Sequence, residues 1–249
     1  MTRLHVETIG SGSPALVLLH GLGVNGAVWK PLLAALRDWP GRIVVPDFRG
    51  HGRSPHARPY GVGQHAADIA ALFAQGERVH IVGHSMGGQV GLLLASGWYG
   101  ISVEHTLGFG LKVNWSTDDI AKVKQVATAP VRFFDTREAA AERFIRVAGL
   151  AGVVDAAAPV VEAGIVREGE RYRLAADPAT VLVAGVPMPP IMAAIDADSR
   201  YRLACGDRDP LVRVDELMAY DASAIEIADC GHNPHVEKPD IFAQMIPRS

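Results

Sequence analysis

The sequence predicts an α/β architecture: a mostly parallel central sheet with helices on both faces and a mainly helical insertion. Three observations carry that expectation. Short apolar runs such as Ala15-Leu16-Val17-Leu18-Leu19 have strand length and no polar break, as in a strand covered on both faces. Up to Leu111 these runs alternate with amphipathic segments of helix length. Finally, Gly83-His84-Ser85-Met86-Gly87 stands between a β-branched run and an apolar helical stretch, which is a strand–turn–helix context.

The elements follow in order. Residues 4–9 alternate polar and apolar side chains as a first strand, and residues 10–14 form a Gly/Ser/Pro turn. Residues 15–19 are the second strand, ending at His20-Gly21. Residues 29–36 are apolar at helical spacing, and 42–46 form a strand ending at Asp47. Residues 64–74 form an amphipathic helix, 79–82 a buried strand, 88–95 a helix and 103–109 a weaker strand. The alternation then breaks. Residues 115–144 are helical and more charged, with Thr117-Asp118-Asp119 and Thr136-Arg137-Glu138 as helix starts. The stretch to residue 194 is rich in Ala, Gly and Pro. Core elements resume with a strand at 201–205, a helix at 214–220, a strand at 224–228 and a final helix.

Composition narrows the function. The 249 residues are 49% hydrophobic and 20% charged, which suits one large α/β domain with an insertion. A formal net charge of −3 argues against nucleic acid or an anionic membrane surface as partner. The ten histidines show no H-E-x-x-H or paired-cysteine spacing, so no metal site is expected. No apolar run reaches about eighteen residues and no apolar signal core opens the chain, so no membrane segment is expected. Cys205 and Cys230 read as buried free thiols of a reducing, cytoplasmic protein. The expected partner is a small-molecule substrate, and the sequence does not separate a monomer from a homodimer.

The turn at Ser85 is tight enough that Gly83 and Gly87 must be small. A serine there would stand off the sheet edge above a helix N-terminus, where partial positive charge favours a developing anion. An acyl-transfer serine also needs a base, an orienting acid and two donors for the oxyanion. On a strand–turn–helix nucleophile the acid and then the base come later in the chain, after further strands. Asp207 or Asp209, and His232 or His235, meet that order.

Four motifs now stand in sequence: His20-Gly21-Leu22-Gly23, Asp47-Phe48-Arg49-Gly50-His51-Gly52-Arg53-Ser54, Gly83-His84-Ser85-Met86-Gly87-Gly88, and the Asp209 and His232 segments. In these the chain resembles the α/β-hydrolase superfamily over essentially the whole core. The resemblance implies an α/β-hydrolase core in residues 1–111 and 191–249 and a helical cap in 112–190. It implies Ser85 as nucleophile, His232 as base and Asp209 as orienting acid. The backbone N–H groups of Leu22 and Met86 resemble an oxyanion hole, and the pattern needs no cofactor. The family's acid falls at the later position of Gly-x-x-Asp, which leaves Asp207 as a turn former. Residues 109–114, where some members carry the acid, hold no carboxylate. His20 and His84 then read as loop supports, His235 as a packed neighbour, and Asp47 and Arg49 as an ion pair or loop brace.

Leu22 and Met86 are expected to touch substrate because the motifs fix them there, and Trp115 is a further candidate. Other candidates are Trp29, Phe133, Phe134, Phe144, Met188, Met192 and the loop near Val24 and Asn25, each set against ordinary core packing. Arg132, Arg137, Arg143 and Arg146 of the cap either attract a carboxylate or form a solvated helix face. The implied function is a serine hydrolase of a carboxylic ester, thioester or lactone of a small apolar molecule. The alternatives are a C–C hydrolase, perhydrolase or cofactor-free oxygenase, or a small-ligand receptor. A serine at the elbow argues against dehalogenases and epoxide hydrolases that use an aspartate nucleophile.

Overall fold

In the computed structural model, which describes residues 2–248, the apolar runs become strands and pair side by side. The core elements before the insertion are β1 (Val6–Ile9), β2 (Ala15–Leu19), α1 (Lys30–Ala35), β3 (Ile43–Pro46), α2 (Val62–Ala70), β4 (Arg78–His84), α3 (Met86–Leu94) and β5 (Ser102–Phe109). A 3-10 turn, Gly26–Trp29, precedes α1. Next come α4 (Thr117–Ala127), β6 (Phe133–Phe134), α5 (Arg137–Val147), α6 (Pro159–Ala163), β7 (Ile165–Glu168), β8 (Arg171–Leu174), a 3-10 turn at Pro178–Val183 and α7 (Met188–Ala193). The chain closes with β9 (Arg200–Gly206), α8 (Val214–Met218), β10 (Ile225–Ile227), α9 (Pro234–Glu237) and α10 (Pro239–Ala243).

The seven-stranded sheet has the order β1-β3-β2-β4-β5-β9-β10. Only β1 runs antiparallel to its neighbour; every other adjacent pair is parallel. The unbroken apolar character of β2 has a direct cause in its two covered faces. Leu16 and Leu18 pack with Trp29, Leu32, Phe109 and Phe242 on one side. Val17 and Leu19, displaced by the two-residue period, pack with Phe48, Ile69, Val90 and Leu94 on the other. Parallel pairing also gathers the loops after β2, β4, β9 and β10 at the carboxyl edge of the sheet.

The segment between β5 and β9 differs from the mainly helical expectation. It holds helices and also a three-stranded antiparallel sheet, β6-β8-β7. The hairpin β7–β8 turns on two residues, Gly169-Glu170, a favoured short connection. Its strand Arg171-Tyr172-Arg173-Leu174 alternates charged and apolar residues, a period-two signal hidden in the Ala/Gly/Pro-rich surroundings. The helix expected to start at Thr117 is capped one residue earlier. The Ser116 hydroxyl accepts from the Asp119 N–H and the Asp119 carboxylate accepts from the Ser116 N–H, a reciprocal cap. Among the described residues no helix is long and apolar enough to cross a membrane.

Candidate active site

Ser85 occupies the single residue between β4 and α3. It sits at φ 50° and ψ −113°, a positive φ that non-glycine residues rarely adopt. The ladder holds it there, since its N–H donates to the Phe109 carbonyl at 2.8 Å. A Cβ on Gly83 would collide with the Gly87 carbonyl, and one on Gly87 with the Leu19 carbonyl. The elbow therefore closes only with glycine at both places. Gly87→Ala is expected to cost at least ~3 kcal/mol, because backbone rather than a movable side chain blocks the methyl group. Urea unfolding checks this, and an unchanged midpoint would contradict it.

The residues after β9 and β10 bring an acid to a histidine. His232 Nδ1 lies 2.8 Å from Asp209 Oδ2. The Asp209 side chain is fully buried, and its other oxygen accepts from the Leu211 N–H at 2.8 Å. With Nδ1 donating to the carboxylate, Nε2 carries the lone pair that can take a proton. Asp207 does other work. Its Oδ1 accepts from the Cys230 N–H at 2.9 Å and ties the loop after β9 to the loop after β10. Backbone donors at Cys230 and Asp229 hold its carboxyl below the usual range.

Glu237 was not foreseen. Its two carboxylate oxygens accept from the N–H groups of Gly231, at 2.8 Å, and Asn233, at 2.9 Å, on either side of His232. The available signal was an acidic residue shortly after the histidine, at the end of α9. Asn233 Nδ2 then donates to the Gly149 carbonyl at 2.9 Å, which fastens the histidine loop to the insertion.

Behind the acid–histidine pair lies a group of buried imidazoles. The His84 ring centroid is 4.6 Å from that of His232 and 5.0 Å from that of His235. His235 packs 4.5 Å from Trp29. Burial, and then the neighbouring His232 and His235, keep His84 well below the ordinary histidine range. His20 is a loop brace. Its Nδ1 donates to the Gly21 carbonyl at 2.8 Å while Nε2 accepts from the Phe48 N–H at 3.0 Å. Asp47 also braces, accepting from the N–H groups of Gly26 at 2.6 Å and Arg53 at 2.8 Å. It is not paired with Arg49, whose guanidinium grips both oxygens of Asp68 instead.

Burial pushes His20 down to about 4 and His51, His65 and His235 to about 3. The unfolded chain would protonate these groups near 6.5, so between about 6.5 and 4 it binds more protons than the native state. Stability is therefore expected to be constant above pH 7 and to fall as pH drops from 6.5 toward 4. Each histidine contributes at most about 1.4 kcal/mol per pH unit. Thermal melts across that range provide the check, and a flat Tm from pH 7 to 5 would contradict it.

Ser85, His232, Leu22, Met86 and Trp115 line one cavity of about 640 Å³, within the range of small-molecule sites. Among the described residues no hydrogen bond joins Ser85 Oγ to His232; such contacts often tighten only with substrate bound. Met86 opens α3, so its N–H has no partner within the helix. Trp115 is set by its indole N–H, which donates to the Lys112 carbonyl at 3.0 Å. Several expected lining residues are core instead. Trp29, Phe144 and Met188 are buried away from the cavity, and Phe133 and Met192 do not line it. Val24 and Asn25 are buried too, with Asn25 Nδ2 donating to the Val160 carbonyl at 2.9 Å. Gln89, Ala148, Val183 and Leu211 line it without having been foreseen. Cys205 and Cys230 are buried and unpaired, and burial pushes their thiols up to about 12 and 11.

Sheet order, elbow and loop placement together define an α/β hydrolase. The chain belongs to the Alpha/beta hydrolase family, whose model matches residues 16–245. It is 30% identical to Lipase LipV of Mycobacterium tuberculosis over 98% of this chain and 96% of that protein. It is 41% identical to the Putative carbamate hydrolase RutD of Variovorax paradoxus, over 37% of this chain and 36% of that one. In three dimensions it resembles the Thioesterase Domain From Curacin Biosynthetic Pathway, with a TM-score of 0.79 and 19% identity over 98% of this chain and 95% of that one. That likeness shows the fold alone.

Proposed function

We propose that the protein cleaves a carboxylic ester, thioester or lactone of a small apolar molecule through an acyl-enzyme at Ser85. The observation that carries this reading is the hydrogen bond from His232 to the buried Asp209, in loops that meet a strained serine at one cavity. Ser85 Oγ attacks the carbonyl carbon and His232 Nε2 takes its proton. The carbonyl oxygen becomes an oxyanion held by the backbone N–H groups of Leu22 and Met86. Asp209 stabilises the imidazolium that results. Collapse expels the leaving group with the proton from His232. Water, deprotonated by the same imidazole, then releases the acid and restores Ser85. The likeness over nearly the whole chain to a protein named as a lipase supports the ester over other bonds. A carbamate presents the same kind of carbonyl and is a second reading, supported by the resemblance to a putative carbamate hydrolase.

Residues 1–111 and 191–249 form the catalytic core in this reading, and residues 112–190 act as a cap that selects substrate. Trp115 and Val183, from the two ends of the insertion, share the cavity with Ser85 and support that role. Free buried thiols fit a cytoplasmic location. The test is labelling of wild type and Ser85→Ala with a fluorophosphonate probe, read by intact mass. One adduct on wild type and none on the variant is expected. A folded wild type that takes no adduct would sink the reading.

A further inference from the structure

A second cavity, of about 510 Å³, adjoins the catalytic one and shares Leu22 and Val147 with it. Apart from Leu22 and Gly23, its walls come from the insertion and are mostly apolar, among them Val126, Val131, Phe134, Leu174 and Val181. Val126, Val131 and Val147 are each more than 40% exposed, so three aliphatic side chains meet solvent around one opening. Apolar surface concentrated in this way marks a binding site more often than scattered exposure does.

Two guanidinium groups stand in the same walls. Arg132 lies over the Phe134 ring, 5.1 Å from its centroid, and Arg143 reaches in from α5. Neither has an ion-pair partner among the described residues. The carboxylate in the lining, Asp177, is already engaged. It accepts from Tyr60 Oη at 2.9 Å and the Ala179 N–H at 2.9 Å, and pairs with Arg58 at 3.2 Å. The chamber is therefore apolar along its length and net positive. Helix α5 links it to the chemistry. Arg143 and Val147 lie four residues apart on one face, so the guanidinium side and the shared wall belong to a single helical stripe.

We propose that this chamber holds the far end of the substrate, an apolar arm that ends in a carboxylate. The preferred substrate is then an ω-carboxy ester or thioester whose carbonyl lies at Ser85 and whose arm passes Leu22 and Val147. This rests on the hydrolase reading above. The aliphatic arm covers the exposed valines, and the planar guanidinium groups match a carboxylate in a bidentate manner. An isolated exposed cation would be screened by water, and the apolar arm is what holds the anion against it.

The experiment compares p-nitrophenyl octanoate with the mono-p-nitrophenyl ester of suberate, which has the same number of acyl carbons. Wild type is expected to show about tenfold higher kcat/KM for the suberate ester. In Arg132→Gln/Arg143→Gln that preference is expected to vanish, mainly through KM, with the loss on octanoate several-fold smaller. Added salt should erode the preference in wild type only. Equal or better use of octanoate by wild type, or an equal loss on both esters, would overturn the proposal. Should wild type cleave neither ester, the hydrolase reading fails on its own. The subsite is then read by calorimetry of monomethyl suberate with Ser85→Ala. Binding weakened about tenfold by the two arginine substitutions sustains it, and no binding, or equal binding, overturns it.

Discussion

Ser85→Ala is expected to lower ester turnover by about a millionfold while leaving the protein folded, the scale seen when a serine nucleophile is removed. Alanine adds no bulk at the elbow, and the N–H that bonds to the Phe109 carbonyl is kept. What disappears is the one hydroxyl between β4 and α3 that faces the cavity. A residual rate above that of water would come from binding and the oxyanion donors. Turnover of p-nitrophenyl butyrate, with a circular dichroism melt as the folding control, decides the matter. Wild-type turnover in a folded variant would remove Ser85 from the mechanism.

The second large effect is expected at Asp209. Asp209→Asn should lower kcat by about ten-thousandfold. The carboxylate can only accept from His232 Nδ1, so it keeps the lone pair on Nε2. An amide that donates to Nδ1 would hold the other tautomer, with the proton where the base is needed. Asp207→Asn is the matched control, two residues away. Its carboxylate accepts from the Cys230 N–H rather than from the imidazole, so its substitution should leave kcat far less changed. If the two variants lost activity equally, the assignment of the orienting acid to Asp209 would fail.

Much of this site was legible in the chain because local sterics wrote it there. Gly83 and Gly87 are small since backbone carbonyls occupy the space of a side chain. β2, which pairs with the strand leading to Ser85, is an unbroken apolar run since both of its faces are covered. Elements were shifted at their ends, as with α2, expected at 64–74 and found at Val62–Ala70, because terminal turns are set by capping rather than by periodicity. The insertion was the least legible. Its small sheet rests on a hairpin of four-residue strands, too short to stand out from the Ala/Gly/Pro-rich sequence around it.

Long-range partners were illegible for a different reason. Asp47 and Arg49 were expected as an ion pair or a loop brace; Asp47 braces its loop, and Arg49 crosses to Asp68 on α2. Glu237 holds both neighbours of His232, and only its place shortly after the histidine hints at that task. Three of the aromatic and sulfur-containing candidates for the cavity wall, Trp29, Phe144 and Met188, proved to be core, with Trp29 packed against His235 and Phe144 against Gly164.

The sequence by itself determined the fold class, the elbow and the chain order of the candidate nucleophile, acid and base. Those follow from periodicity, turn sterics and position after strands, which are local properties of a polypeptide. Tertiary structure alone decided which aspartate meets His232, which residues wall the cavity, and that a second, positively charged chamber opens beside it. Such features depend on where segments separated by many residues come to rest, and hydrophobic burial is indifferent to which apolar neighbour completes a contact.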